Sequence, residues 1–226
     1  MTIGLFSFLV FLFIVYKLSK DDFVFLRKNV TLEQVFNTAF FGIFVCLFIA
    51  RLGFVIEHFN WQLINPFVFF SLVSSPGFSA SFGIVGGIVY LLFYTHNKKL
   101  PFSRFVDMFA VGLLFTQGIF NILSGISSLL AKQMSGGSEI LSGVLALVGY
   151  GLLYSIFKTE KWRDGAVGYF SLFLGALLMI VAQIFAELLQ RKLLFTWELF
   201  ASAVVMVLFL ILYLNQQYFQ LKGRHA

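Results

Sequence analysis

Residues 34–58 read Gln34-Val35-Phe36-Asn37-Thr38-Ala39-Phe40-Phe41-Gly42-Ile43-Phe44-Val45-Cys46-Leu47-Phe48-Ile49-Ala50-Arg51-Leu52-Gly53-Phe54-Val55-Ile56-Glu57-His58. Arg51 is the single charged side chain before Glu57 in this stretch. Apolar residues occupy adjacent positions all round a helical wheel, as at Phe40-Phe41 and Leu47-Phe48-Ile49, so no polar face is left for water. A helix that is hydrophobic on every side is buried, either in a large protein core or in lipid. The stretch also exceeds the roughly 20 residues needed to cross a bilayer.

The rest of the chain decides between core and lipid. Of 226 residues, 60% are apolar and only 12% charged, against roughly 45–50% and about 25% in soluble proteins. Ten acids and sixteen bases cannot clothe a globule that must hide 32 phenylalanines, so a water-soluble enzyme or binding module is excluded. The net charge of +6 would suit a nucleic-acid partner in a soluble chain. Here the bases fall in short polar gaps between apolar runs, where they report topology instead.

None of the apolar runs shows the alternation of a membrane barrel strand, so the expected fold is all-α and polytopic. Seven spans are expected, near residues 2–16, 34–58, 79–95, 105–131, 139–157, 165–189 and 195–215, in a single transmembrane domain over 1–226. The first has no basic residue before it and no small-residue cleavage site after it, so it reads as a retained helix and not a secretory signal. Twelve bases fall on one side: Lys17, Lys20, Arg27, Lys28, Lys98, Lys99, Arg104, Lys158, Lys161, Arg163, Lys222 and Arg224. Only three, Lys132, Arg191 and Lys192, fall on the other. The positive-inside rule then puts the N-terminus outside and the C-terminus in the cytoplasm. The longest external segment is Phe59–Phe78, with Pro66, Pro76 and no Lys or Arg.

Glycine and serine punctuate the helices. Gly83-Ile84-Val85-Gly86-Gly87 lies within an apolar helix and not after a strand, so packing explains it better than phosphate binding. Gln117-Gly118 to Ser124-Gly125, and Ser135-Gly136-Gly137-Ser138, point to close helix approach or to a broken helix. Cys46 is the single cysteine. It offers neither a disulfide framework nor a metal-ligand spacing, and no metal or other cofactor is expected.

Charge inside a span is costly and marks a functional candidate. Arg51 has two readings: snorkelling or ion pairing, or a fixed cation for a lipid phosphate. Glu57 and His58 are expected at the outer interface, where they are solvated. Asp107 is expected to pair with Arg104 in the first turn of the fourth span and to complement that helix's dipole. Glu187 and Arg191 read as an i, i+4 pair. His96 and His225 fall outside the membrane, which leaves no deep imidazole for general base catalysis. Ser81, Asn121 and Gln183 could face a shared interior or could join helices through hydrogen bonds.

These residues resemble a known family. Glu33-Gln34-Val35-Phe36 through Ala50-Arg51-Leu52-Gly53-Phe54-Val55, Pro76-Gly77-Phe78-Ser79-Ala80-Ser81-Phe82-Gly83, Phe105-Val106-Asp107-Met108-Phe109 and, later, Gly165-Ala166-Val167 to Phe185 are similar to the bacterial prolipoprotein diacylglyceryl transferases. The similarity runs over about residues 33–190, in order, and the family shares seven spans with an external N-terminus. The resemblance implies an inner-membrane protein that moves diacylglycerol from phosphatidylglycerol to the cysteine of a lipobox-bearing preprolipoprotein. It also implies that Arg51, Ser81, Asn121 and Gln183 line the lipid-binding site. The family's histidine falls on Ser81, its Arg-x-Gly-Asn motif on Asn121-Ile122-Leu123-Ser124, and a later arginine and glutamate on Met179 and Gln183. A hydroxyl or an amide cannot accept a proton at neutral pH. The alternative is therefore a catalytically inactive paralogue that binds lipid or a partner helix.

Overall fold

A computed structural model describes residues 2–20, 22–58, 65–70, 77–132, 136–158, 164–189 and 197–222. Among them there are nine helices and no strand: α1 (Thr2–Ser19), α2 (Phe23–Arg27), α3 (Leu32–Glu57), α4 (Pro66–Phe70), α5 (Ala80–Lys98), α6 (Phe102–Leu130), α7 (Gly136–Lys158), α8 (Ala166–Leu189) and α9 (Trp197–Lys222). Each of the seven expected spans coincides with one of the long helices.

Five helical stretches are long and apolar enough to cross a membrane: Leu32–Glu57, Phe102–Leu130, Gly136–Lys158, Ala166–Phe185 and Leu199–Gln216. The stretch Ile3–Ser19 is apolar but shorter. In α5 the glycines and the polar end Thr95-His96-Asn97-Lys98 dilute an otherwise apolar run. Large apolar side chains stand outward along the helices, with Phe13 at 64%, Phe93 at 68% and Leu130 at 82% exposure. Patches of that extent are untenable in water and ordinary against lipid tails.

The chain forms two compact units, Met1–Leu32 with Pro101–Ala226, and Glu33–Leu100. In the smaller unit α3 and α5 pack through small residues. A Cβ on Gly83 would sit 3.1 Å from that of Ala50, one on Gly86 would lie 2.7 Å from Ile49, and one on Gly87 2.6 Å from the Cys46 sulfur. The glycine cluster is thus a packing seam, in line with the small-residue rule for helices in lipid. α5 ends where Lys99 turns into the left-handed region (φ 54°) and the Leu100 N–H returns to the Thr95 carbonyl. Pro101 then opens α6.

In the larger unit α6 is central, packing on α1, α7 and α8, while α8 also packs on α7 and α9. The expectation of either close approach or a broken helix resolves in favour of close approach, because α6 runs unbroken through Gly118 and Gly125. Cβ atoms on Gly143 and Gly118 would lie 2.7 and 3.1 Å from each other's carbonyl oxygens. Gly125 and Gly136 repeat the arrangement one heptad along each helix, at 2.7 and 2.6 Å.

Candidate functional site

Arg51 anchors the smaller unit's polar centre and is only 3% exposed. Its Nε donates to the Phe69 carbonyl at 2.8 Å, Nη1 to Gly77 at 2.8 Å and Nη2 to Val68 at 3.4 Å. Two of these acceptors belong to the last turn of α4, whose carbonyls have no helical partner of their own. The Phe54 and Phe69 rings stand 5.3 and 5.9 Å from the guanidinium carbon. Arg51 therefore does not snorkel outward; it folds the segments around it.

The segment that Arg51 grips leads straight into α5. Its Gly77 runs so close to α3 that a Cβ would fall 2.2 Å from the Phe54 ring. Two residues on, the Ser79 N–H donates to the Ala50 carbonyl at 2.9 Å, and the Ser79 hydroxyl donates to Glu57 Oε1 at 2.8 Å. The expectation of a merely solvated Glu57 is corrected here, since its second oxygen, Oε2, is buried with no hydrogen-bond partner among the described residues. His58 is exposed as expected and stacks on Phe54 at 4.5 Å. Ser81 is buried in the first turn of α5, beside Ser79 in sequence and at the Arg51 end of the α3–α5 pair.

Asn121 and Gln183 belong to the larger unit. Asn121 donates to the Ser142 hydroxyl at 3.1 Å across the α6–α7 seam, and Ser142 in turn donates to the Glu139 carbonyl at 2.8 Å. Gln183 lies half-buried towards the end of α8. Gln117, which had no assigned role, bridges α6 to the Gly175 carbonyl of α8 at 3.2 Å. Two of the four candidates thus share the α3–α5 pair, while Asn121 joins helices.

Arg104 and Asp107 interact through charge, but the hydrogen bonds of each go elsewhere. Arg104 bonds Asp22 instead, with Nη2 at 2.7 Å and Nε at 2.8 Å from Oδ2, and Asp164 lies 3.7 Å away. Its guanidinium also lies 4.0 Å over Phe157. Asp22 had gone unassigned, although an Asp directly before an apolar run is an N-cap signal; its Oδ1 accepts the Phe25 N–H of α2 at 3.0 Å. Asp107 is fully buried and caps α8, not its own helix: Oδ2 accepts the Gly165 N–H at 2.7 Å, and Oδ1 accepts that of Gly168. Glycine is required at both places. Gly165 has φ +95°, and a Cβ on Gly168 would meet the Asp107 backbone at 2.8 Å.

Among the described residues no three His, Cys, Asp or Glu side chains gather as a metal site. Of the remaining expectations, the Glu187–Arg191 pair, the lysine at 161 and His225 lie outside the described residues or side chains.

The family model for prolipoprotein diacylglyceryl transferase matches residues 2–124, more than half of the chain. The chain belongs to the prolipoprotein diacylglyceryl transferase family. No curated protein matches it. The family match runs from α1 through most of α6, so it takes in Arg51, Ser81, Asp107 and Asn121 and ends before Gln183. The protein is accordingly a multi-pass membrane protein of diacylglyceryl transferase type.

Proposed function

We propose that this protein engages phosphatidylglycerol as a single transmembrane domain of the bacterial inner membrane, with Arg51 as its contact to the lipid phosphate. Ser81 is a polar residue of the same lipid-binding site, and Asn121 and Gln183 are the polar residues of the larger unit that the family resemblance implies for lipid contact. The observation that carries this reading is the buried guanidinium of Arg51, held by three backbone carbonyls at the mouth of the α3–α5 pair. A planar, always-charged fork that is fixed before binding suits a phosphate better than a mobile lysine would. Arg51→Leu in the detergent-purified protein should release anionic lipid, read by native mass spectrometry. Unchanged retention would leave Arg51 as a purely structural residue.

Beyond binding, the reaction proposed from the family is transfer of diacylglycerol to a lipoprotein cysteine. The thiol sulfur bonds to the glycerol carbon, the carbon–oxygen bond to the headgroup phosphate breaks, glycerol phosphate leaves, and the thiol proton must pass to a base. Stabilising the leaving phosphate typically contributes on the order of a hundredfold or more in rate. A second reading, a lipid-binding or helix-partner protein without turnover, is favoured by Asn121. At the position of a family arginine it supplies an uncharged amide, and that amide donates to Ser142.

A further inference from the structure

The short helix α2 carries a surface that nothing around Arg51 uses. Its inner face is fixed to α6: Asp22 caps α2 and pairs with Arg104, and the buried Phe25 ring lies 4.9 Å from that of Phe105. Its last carbonyls are satisfied locally, because Asn29 enters the left-handed region (φ 53°) and the Val30 N–H returns to the Phe25 carbonyl at 2.9 Å. With one face fixed, the other is held outward. That outer face carries Phe23 at 61% and Leu26 at 64% exposure, and Arg27 follows Phe23 by one turn. Lys20, Arg27 and Lys28 are all exposed, and none has an ion-pair partner among the described residues. Asp22 is taken by Arg104, Asp21 lies outside the described residues, and Glu33, the next acid along the chain, opens the other unit.

We propose that α2 docks on an anionic lipid surface, with Phe23 and Leu26 entering the acyl boundary and Lys20, Arg27 and Lys28 meeting the headgroup phosphates. The apolar run of α1 ends in Lys17 and Lys20, so α2 follows at the level where hydrocarbon gives way to headgroups. An exposed Phe and Leu are out of place in water, and three charges are costly in hydrocarbon. Only the boundary between the two suits both, which is the composition of an interfacial helix. Charge then selects the lipid, since each Lys or Arg near an anionic surface is worth about fivefold in binding. α2 belongs to the larger unit and Arg51 to the smaller, so the two lipid contacts stand or fall separately.

The test uses the full chain carrying Cys46→Ser and Leu26→Cys, labelled at position 26 with an environment-sensitive fluorophore and placed in nanodiscs of phosphatidylcholine with or without phosphatidylserine. Phosphatidylserine is the anionic probe, so a site for phosphatidylglycerol does not contribute. The label should emit further to the blue, and be better shielded from acrylamide, when phosphatidylserine is present. Brominated phosphatidylserine should quench it in preference to brominated phosphatidylcholine. Lys20→Gln, Arg27→Gln and Lys28→Gln, all at exposed positions that folding tolerates, should each cut that preference about fivefold, and the triple variant should bring the two lipids near parity. Salt at about 1 M, where screening acts within about 3 Å, should do the same. A label that behaves alike with and without phosphatidylserine, or a triple variant that keeps the preference, overturns the proposal. So does emission that follows the number of proteins per disc and not the lipid charge, since a second copy would then cover α2. Arg51→Leu should leave position 26 unchanged; loss of the preference in that variant would assign the signal to the Arg51 region and overturn the role of α2.

Discussion

Asp107 and Arg104 show how residues close in sequence can serve different elements. On a helix they are i and i+3, the spacing of an ion pair, yet each finds a partner far along the chain. Arg104 is drawn to Asp22 because a fork of donors facing a carboxylate also satisfies the N-cap of α2. Asp107 is fully buried, and backbone N–H groups at the start of α8 offer it two donors in place of one charge. Replacing Asp107 by Ala should therefore strand two buried N–H groups and lower stability by about 2–4 kcal/mol. Thermal unfolding of the detergent-purified protein measures this, and an unchanged midpoint would contradict the capping role. The charges at these positions were legible in the sequence. Their partners were not, since spacing along one helix says nothing about which neighbouring helix end comes near.

At the scale of the element, the α6–α7 seam depends on glycine at specific places. Gly143→Ala would press a methyl group to within 2.7 Å of the Gly118 carbonyl, where backbone cannot yield. Overpacking of this kind costs about 1–3 kcal/mol. At Gly151, on the same helix, a methyl group would meet nothing within 4 Å, so Gly151→Ala should be neutral or should stabilise by up to about 1 kcal/mol. The paired variants, compared by thermal unfolding, separate seam from surface; equal behaviour would argue against the close contact. Glycine pairs at Gly118 and Gly125 were visible as a choice between a seam and a break. The choice fell to the seam because the partner helix carries Gly136 and Gly143 at matching height, a fact of antiparallel pairing and not of either stretch alone.

For the whole molecule, the orientation expected from the bases can be tested directly. Reporter fusions in the loops around Lys98 and Lys161 should register as cytoplasmic, and a periplasmic signal at either would reverse the assignment. Catalytic competence is read by complementation of a strain depleted of its own diacylglyceryl transferase. We expect no rescue, because the family resemblance implies that Ser81, Asn121 and Met179 replace the family's histidine and arginines. Rescue would restore the transferase reading and make Glu57 the first base to replace. Composition and the length of the apolar runs by themselves determined that this chain is helical and built for lipid, because a bilayer admits few backbone solutions and tolerates little charge. They also marked Arg51 and Asp107 as residues needing partners. Which partners those are, three carbonyls for Arg51, the start of α8 for Asp107, and Ser79 for one oxygen of Glu57, was decided only in three dimensions, since a polar group in an apolar interior takes the donors and acceptors that packing brings within about 3 Å.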